Sequence, residues 1–524
     1  MRRKKLFLNT GTAILNQLVT LVCGLILPQL IIEHYGSATN GLLASISQFL
    51  AFFSMMEMGV GAVVRSALYK PLAENDSDTV SRVLISSRRF FRRIGAMLCL
   101  YALGLMVFFP LKVDHSLGYL STGILVGALA FNAVSMYMLG IIYQQLLNAD
   151  QRSYVQIASN IIVVVLNTVF SVVLIRLDAS IVTVKLVAAA VFLVRPLFLK
   201  WYVDRHYRLN LKLTLNEEPL KQKWNGLAQH IAQYILVHAD TVILTLMSTL
   251  ENVSIYYVYH LVTNGLEQLL RVTTVGIQAL LGNMYVKGEK EQLSRTFSAF
   301  EWIIHTFVVL IYSMAGVLIL PFVSIYTRNV RDVNYAVPLF AVLIVSANAV
   351  LCLRIPYNIM VQAAGHFKQT QASAIIEASM NVVISVLLVH RFGLVGVAVG
   401  TLAAMLYRTC YLAWYLRSTI LNRPFRHFIL HLAVDVIMVG GIVAATRWIS
   451  LGSTSWSSWV FMALKTAAVA LPIIAVINLA FYRDLVKDSF KLLFGKIQTT
   501  EANNTDQAEV SGQKLPGTGT EEGE

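Results

Sequence analysis

Long uninterrupted runs of apolar residues recur from one end of this 524-residue chain to the other. Many of them approach the roughly 20 residues that an α-helix needs to cross a hydrocarbon core of about 30 Å. Charged residues make up 13% of the chain, about half of the roughly 25% that is usual in soluble domains. A membrane β-barrel would instead show short segments of alternating hydrophobicity. The sequence therefore predicts an all-α polytopic membrane protein.

The distribution of positive charge predicts the orientation of this protein. If the N-terminus is cytoplasmic, 30 of the 42 Lys and Arg residues fall in cytoplasmic loops, chain termini or the cytoplasmic ends of spans. Another 6 fall in outer loops or at the outer ends of spans, and 6 lie deeper within spans. Such a bias follows the positive-inside rule. An even number of spans, about fourteen, also places both termini in the cytoplasm. The predicted spans are 8–32, 41–63, 94–112, 119–147, 155–177, 181–200, 225–248, 254–282, 299–325, 335–361, 371–390, 394–416, 428–447 and 457–482.

Composition and motifs argue against soluble chemistry. The net charge of +14 is explained by the cytoplasmic loops, so no nucleic-acid partner is expected. The four cysteines lack metal-ligand spacing, and we expect neither a metal site nor a cofactor. No nucleotide-binding or metalloprotease motif is present, and no loop exceeds about thirty residues. We therefore expect no catalytic residues and no enzyme activity.

The two halves of the chain resemble each other at an offset of 213–214 residues. Asn167 matches Asn381, and Arg195 matches Arg408. Transporters that are built from such repeats place their substrate site between the halves. The repeat predicts an N-terminal six-helix lobe (1–210) and a C-terminal six-helix lobe (211–427), followed by two further helices (428–496). The polar, acidic composition of the last residues predicts a disordered cytoplasmic tail (497–524).

Short motifs at both ends of the repeat carry a family resemblance. They are Asn9, Gln17, Pro28, Tyr35-Gly36, Met58-Gly59 and Arg65 in the first half, and Gly365-His366-Phe367-Lys368, Asn381, Ser385 and the segment 392–401 in the second. The chain thereby resembles the oligosaccharide-lipid flippases of the polysaccharide transporter family, which are relatives of the MATE exporters and lipid II flippases. The resemblance covers nearly the whole chain.

This resemblance implies a V-shaped pair of six-helix lobes that opens alternately to each side of the bacterial plasma membrane. It implies as cargo an undecaprenyl-pyrophosphate-linked oligosaccharide for capsule, O-antigen or exopolysaccharide synthesis. A proton or sodium ion is the candidate coupling ion, and the polysaccharide assembly machinery is a candidate partner.

The eighth predicted span contains the main candidates for substrate binding. Its polar side chains recur every third or fourth residue and so share one face; they are Tyr257, His260, Asn264, Glu267, Gln268, Arg271, Thr274 and Gln278. Because polar residues inside a membrane are costly against lipid, this face should line a wet cavity or contact other helices. Asn264, Gln268 and above all Arg271 are predicted to bind substrate, since a guanidinium can hold a pyrophosphate bidentately. The alternative role of Arg271 is an intrahelical pair with Glu267.

Charged residues elsewhere in the spans provide further candidates. Arg354, which precedes the helix-loosening Pro356, and Arg65 are candidate substrate contacts; a structural role for Arg354 and a role as membrane anchor for Arg65 are the alternatives. Glu57 lies at the repeat equivalent of Arg271 and could pair with it in one state of the cycle. Together with Asp240 and Glu267 it is a candidate for ion coupling or gating.

Other polar residues of the spans receive structural interpretations. The duplicated Arg195 and Arg408 are interpreted as interfacial residues that extend towards the membrane surface. Glu377, Asn381 and Ser385 are interpreted as donors and acceptors of hydrogen bonds between helices.

Two other functions remain open at this point. A cation-coupled multidrug exporter of the MATE type would share the fold but favour an acidic pocket. A membrane-embedded glycosyl-transfer enzyme would need clustered carboxylates or histidines on an outer loop, and the outer loops are short.

Overall fold

The computed structural model describes residues 2–52, 54–113, 117–210, 227–272, 274, 276–421, 423–483 and 485. In this part of the chain the backbone forms helices and turns and contains no β-strand. The helices are α1 (Arg2–Tyr35), α2 (Ser37–Ala51), α3 (Ser54–Glu74), α4 (Ser77–Lys112), α5 (Tyr119–Ser135), α6 (Ile141–Ala149), α7 (Ser153–Arg176), α8 (Ile181–His206), α9 (Leu227–Met247), α10 (Leu250–Val272), α11 (Ile277–Lys287), α12 (Lys290–Tyr326), α13 (Pro338–Leu353), α14 (Ile355–Ala363), α15 (Phe367–Thr419), α16 (Arg426–Thr446) and α17 (Trp456–Phe481). A π-helical turn, Met136–Gly140, joins α5 to α6.

The helices confirm the predicted class of an all-α multi-pass membrane protein. Ten helical segments of the described chain are long and apolar enough to cross a membrane. Each predicted span overlaps at least one helix, while the count of fourteen and the cytoplasmic location of both termini stay predictions.

Several predicted spans are bent or broken helices. The eighth contains α10 and α11, which are separated near Gly276, whose φ of +89° suits glycine. The segment α15 covers two predicted spans, 371–390 and 394–416. Gly393 divides it into two arms, because the backbone turns sharply there with φ 51° and ψ −126°. After this turn Gly396 lies against Leu388, and Gly400 lies against Ser385. The two arms of α15 therefore pack side by side as a tight helical hairpin.

The buried apolar side chains form two large clusters and one small one. The first is formed by residues of helices α1 to α8 and includes Phe91 and Phe109. The second is formed mainly by residues of helices α9 to α15 and includes Phe297 and Phe340. A third, small cluster, which includes Met438, packs α16 and α17 against α12. This pattern gives each half its own core; the residue boundaries of the lobes stay a prediction.

The two halves meet where α2 packs against α10. The amide of Asn40 donates a 2.8 Å hydrogen bond to the hydroxyl of Ser254, and these residues are 214 positions apart. This separation equals the offset of the sequence repeat. Equivalent residues of two related units contact each other only near the symmetry axis. The repeat therefore predicts a pseudo-twofold axis between α2 and α10.

Candidate functional site

Hydrogen bonds join the two halves at the predicted extracytoplasmic end, and we call this group the outer closure (Ser37, Asn40, Ser254, Asp332 and Tyr335). Asp332 accepts hydrogen bonds from the backbone N–H of Ser37 at 2.7 Å and from its hydroxyl at 2.9 Å. The Tyr335 hydroxyl lies 2.8 Å from that of Ser37 and 2.7 Å from that of Ser254. Ser37 begins α2, where a carboxylate stabilises the free N–H groups of a helix. The interface is therefore closed at this end.

Gly41 allows α2 to approach α10 beside the outer closure. A Cβ atom at this position would lie 2.7 Å from the carbonyl carbon of Leu250, which is backbone. We expect Gly41→Ala to push the helices apart and to lower the free energy of unfolding by about 1–3 kcal/mol, as overpacking does. Amide hydrogen exchange over 250–256 should become faster. Gly104→Ala is the control, since a Cβ there meets nothing within 4 Å; equal exchange in the two variants would contradict the prediction.

A cavity of about 650 Å³ lies between α1, α10, α12 and α17. Its lining is mainly apolar and includes Leu261, Phe322 and Trp459. Asn264 and Gln268 of α10 and Gln17 of α1 provide polar groups. The Gln17 amide donates a hydrogen bond to the Gln268 side chain across the interface between the halves. Two of the predicted substrate contacts, Asn264 and Gln268, thus line an interlobe cavity.

Arg271 lies one helical turn beyond Gln268, near the break between α10 and α11. Its Nε atom donates a 2.7 Å hydrogen bond to Glu267 Oε1, and a second guanidinium nitrogen lies 2.6 Å from the same oxygen. The Arg271 side chain is nevertheless 52% exposed, against 15% for Glu267. A guanidinium has five donors, so this pairing leaves donors for a second anion. The intrahelical pair and an anion contact are compatible in this geometry.

Asp240 of α9 lies at the centre of a buried polar cluster in the second half. It is 3% exposed and accepts hydrogen bonds from Tyr256 at 3.1 Å, Asn381 at 3.1 Å and Thr401 at 2.7 Å. None of the described Lys, Arg or His side chains forms an ion pair with it. A buried carboxylate is costly unless a proton or a cation neutralises it.

Further oxygen atoms surround this carboxylate. Ser385 lies 3.1 Å from Asn381 Oδ1 and 3.3 Å from the carbonyl oxygen of Val397, and Thr401 lies 3.0 Å from the same carbonyl. Hard cations prefer carboxylate, amide, hydroxyl and carbonyl oxygens of this kind. Among the described residues no group of three or more His, Cys, Asp or Glu could hold a metal ion. The cluster, with a single carboxylate, therefore suits a proton or a monovalent cation better than a transition metal.

The α15 hairpin produces this cluster. A Cβ atom at Gly400 would lie 2.9 Å from the backbone nitrogen of Ser385, so only glycine allows the two arms to approach so closely. Asn381 and Ser385 come from one arm, and Val397 and Thr401 come from the other. The predicted hydrogen-bonding role of Asn381 and Ser385 between helices agrees with these contacts. Thr401 was missed as a functional candidate, although the glycine spacing before it is a usable signal.

Arg354 and Arg408 share one buried carboxylate, that of Glu377. Arg354 is 2% exposed and binds Glu377 Oε1, and the Arg408 guanidinium lies 2.7 Å from Glu377 Oε2. Arg408 is 8% exposed, so the interpretation as an interfacial residue was wrong. Arg354 contacts Glu377 and does not line the cavity of about 650 Å³, so its predicted contact with substrate has no support in this conformation.

The remaining candidates lie in the first half or outside the described residues. Arg65 donates a 2.7 Å hydrogen bond to Gln145 within the first half. Arg195, interpreted as interfacial, likewise donates to Gln144 and Gln156. The side chain of Glu57 lies outside the described part of the chain, so its pairing with Arg271 stays a hypothesis.

Solved structures of known transporters share this fold. The lipid II flippase MurJ in an inward closed conformation superimposes with a TM-score of 0.66 over 92% of this chain and all of that chain, at 13% identity. A multidrug resistance MATE family transporter of the MOP superfamily gives a TM-score of 0.56 in its inward-facing conformation, over 76% of this chain and 95% of that chain, at 15% identity. An outward-facing structure of a transporter with the same description gives a TM-score of 0.53, over 79% of this chain and 93% of that chain, at 14% identity.

No model of a protein family matches the sequence, and no curated protein matches it. At these low identities the structural similarity shows the fold alone, which this chain shares with the lipid II flippase and the MATE family transporter.

Proposed function

We propose that the protein is a cation-coupled flippase that moves an undecaprenyl-pyrophosphate-linked oligosaccharide outward across the bacterial plasma membrane by alternating access. The observation that carries this proposal is the position of Arg271, a half-exposed guanidinium one turn from a large apolar cavity at the interface of the halves. Such a cargo has an anionic head and a long apolar chain. Arginine suits the pyrophosphate, and the apolar lining suits the chain.

The charge of the cavity distinguishes a flippase for anionic cargo from an exporter of cationic drugs. Among its described lining residues there is no Asp or Glu, and the nearest carboxylate on α10, Glu267, is engaged by Arg271. An exporter of cations would need an uncompensated acidic group in the pocket. A MATE-type exporter therefore fits these residues less well than a transporter of anionic cargo.

The buried cluster around Asp240 supports a coupling role in the second half. A proton or a sodium ion is taken as a second substrate, which Asp240, Asn381, Ser385, Thr401 and the Val397 carbonyl are positioned to bind. These oxygens come from α9 and from both arms of α15. Binding a cation there would hold the three helical segments together, and this biases the equilibrium between conformations if they separate in the other state.

Replacement of Arg271 tests the proposal. We expect Arg271→Ala to slow flipping of a lipid-linked oligosaccharide in proteoliposomes by roughly tenfold or more, because a charge-assisted contact is lost. Arg271→Lys should restore only part of the rate, since lysine cannot bind bidentately. Flipping is measured as the fraction of sugar that becomes accessible to an impermeant glycan-modifying enzyme.

Arg295→Ala provides the matched control. Arg295 forms the same kind of pair with Glu291, four residues earlier, at 2.7 Å, but this pair is exposed on α12. Its loss should leave flipping unchanged. Normal flipping by Arg271→Ala would remove this residue as a cargo contact, and export of cationic dyes without flipping by the wild type would favour the MATE alternative. Formation of a new glycosidic product from labelled lipid-linked donor would favour an enzyme.

A further inference from the structure

A second cavity, of about 270 Å³, lies directly beside the outer closure. Helices α1, α2, α5, α7 and α8 of the first half surround it, and Tyr257 of α10 completes the wall. Asn40 lines this cavity and at the same time donates its hydrogen bond to Ser254 in the outer closure. Opening of the closure would therefore expose this cavity to the outer side.

The two cavities adjoin each other. Thr20, Gly24 and Tyr257 line both of them. Arg271 lies 21 residues after the first residue of α10, or about 30 Å along the helix from its predicted outer end. The second cavity therefore lies at the opposite end of the interlobe space from Arg271.

Lys185 is the only charged residue among the described residues that line the second cavity. It lies four residues after the start of α8, which is the predicted outer end of that helix. The described contacts include no hydrogen bond or ion pair of its ammonium group. An ammonium group at membrane depth without an anionic partner is costly, so an anion that enters the cavity is stabilised.

The neutral groups of the cavity favour a ligand that also carries hydroxyl groups. The Oδ1 atom of Asn167 is buried and has no hydrogen-bond partner among the described residues, and a buried acceptor of this kind is costly to leave unsatisfied. Thr20 and Thr168 supply hydroxyl groups to the same lining. A sugar hydroxyl could donate to Asn167 while an anionic group contacts Lys185.

We infer that Lys185 and Asn167 form a second binding site for the cargo, which takes the phosphate or carboxylate group of a glycan near the outer exit. The identity of the cargo rests on the proposed function, whereas the preference for an anion rests on the cavity alone. In this arrangement Arg271 engages the anionic group on the inner side, and Lys185 engages an anionic group before release.

The experiment titrates purified full-length protein with two simple anions, inorganic pyrophosphate and glucuronate, by calorimetry. We expect Lys185→Met, which keeps the apolar stem, to weaken binding of at least one probe by roughly tenfold or more, and Lys185→Arg to retain it. The probe that is affected identifies the source as phosphate or carboxylate. Lys465→Met in α17 is the matched control, because Lys465 lies over the Phe461 ring on a membrane helix and lines neither cavity.

A second variant keeps the test informative if Lys185→Met folds poorly. Asn167→Asp places a carboxylate in the same cavity and should weaken anion binding, with Lys185 retained. The inference is overturned if Lys185→Met binds both probes with wild-type affinity. If Lys185→Met does not fold, wild-type affinity of Asn167→Asp for both probes overturns it instead. In either case the lysine is solvated by water alone. The titration needs no transport, so its failure removes this site only. Failure of the wild type to flip lipid-linked oligosaccharide would remove the proposed function and with it the identity of the cargo, while the anion site at Lys185 would stand.

Discussion

Asp240→Asn is expected to abolish the response of transport to a cation gradient. Asparagine keeps the size of the side chain and one acceptor oxygen, which can face the Asn381 amide. It replaces the other oxygen, which accepts from Tyr256 and Thr401, by an NH2 donor, and it removes the charge that attracts a proton or a sodium ion. Coupling between two ligands commonly changes affinity by about 5–150-fold, so we expect transport under a gradient to fall by at least about tenfold. Flipping in proteoliposomes, with sodium and proton gradients imposed separately, measures the effect and identifies the ion.

Asp178→Asn is the control for this prediction. Asp178 is an exposed carboxylate, 86% accessible, in the turn between α7 and α8. Its positive φ of 53° is one that asparagine also tolerates. Thr401→Val should reproduce part of the Asp240→Asn effect, because it removes one oxygen from the cluster. Full gradient dependence in Asp240→Asn would place the coupling site elsewhere.

Glu377→Gln is expected to cause the largest loss of stability. Glu377 is fully buried and receives Arg354 on one oxygen and Arg408 on the other. Neutralising it leaves two buried guanidinium groups without an anion, and removal of one partner of a buried ion pair costs about 3–5 kcal/mol. Thermal unfolding in detergent, monitored by loss of the monodisperse peak, measures this change.

Glu291→Gln provides the comparison for Glu377→Gln. Glu291 pairs with Arg295 in an exposed position, where such pairs contribute about 0–1 kcal/mol. The double variant Arg354→Met with Glu377→Gln should regain part of the lost stability, since it leaves one unpaired charge instead of two. Equal stability of Glu377→Gln and Glu291→Gln would contradict the assignment of the triad as a stabilising element.

Features that depend on one segment of sequence were predictable. The lengths of the apolar runs predict the helices. The helical spacing of polar residues predicts that Asn264 and Gln268 share one face of α10, and in the structure both residues line a cavity. The repeat offset of 213–214 predicts two related halves; the Asn40–Ser254 contact lies at that offset, and the relation between the halves stays a prediction.

Features that join distant segments were not predictable from one sequence. The position of Arg408 near the end of a span predicts an interfacial residue. Its partner Glu377 lies 31 residues earlier, on the other arm of the hairpin, so the neighbouring sequence gives no sign of the contact. The hairpin itself depends on Gly393 and Gly400, whose close contacts appear only when both arms are in place. Lys185 lies within the predicted span 181–200, but the absence of a partner for it among the described residues is visible only in three dimensions.

The triad of Arg354, Glu377 and Arg408 contains two positive charges and one negative charge, so it carries one net positive charge within the second half. The membrane potential acts on this charge whenever that half moves along the membrane normal. A unit charge that crosses a full 100 mV drop changes its energy by about 2.3 kcal/mol, so a shift through one tenth of the membrane changes it by only about 0.2 kcal/mol. Through this charge, voltage would therefore bias the rocking of the two halves only slightly, and the triad itself would contribute little electrogenic driving force to the cycle.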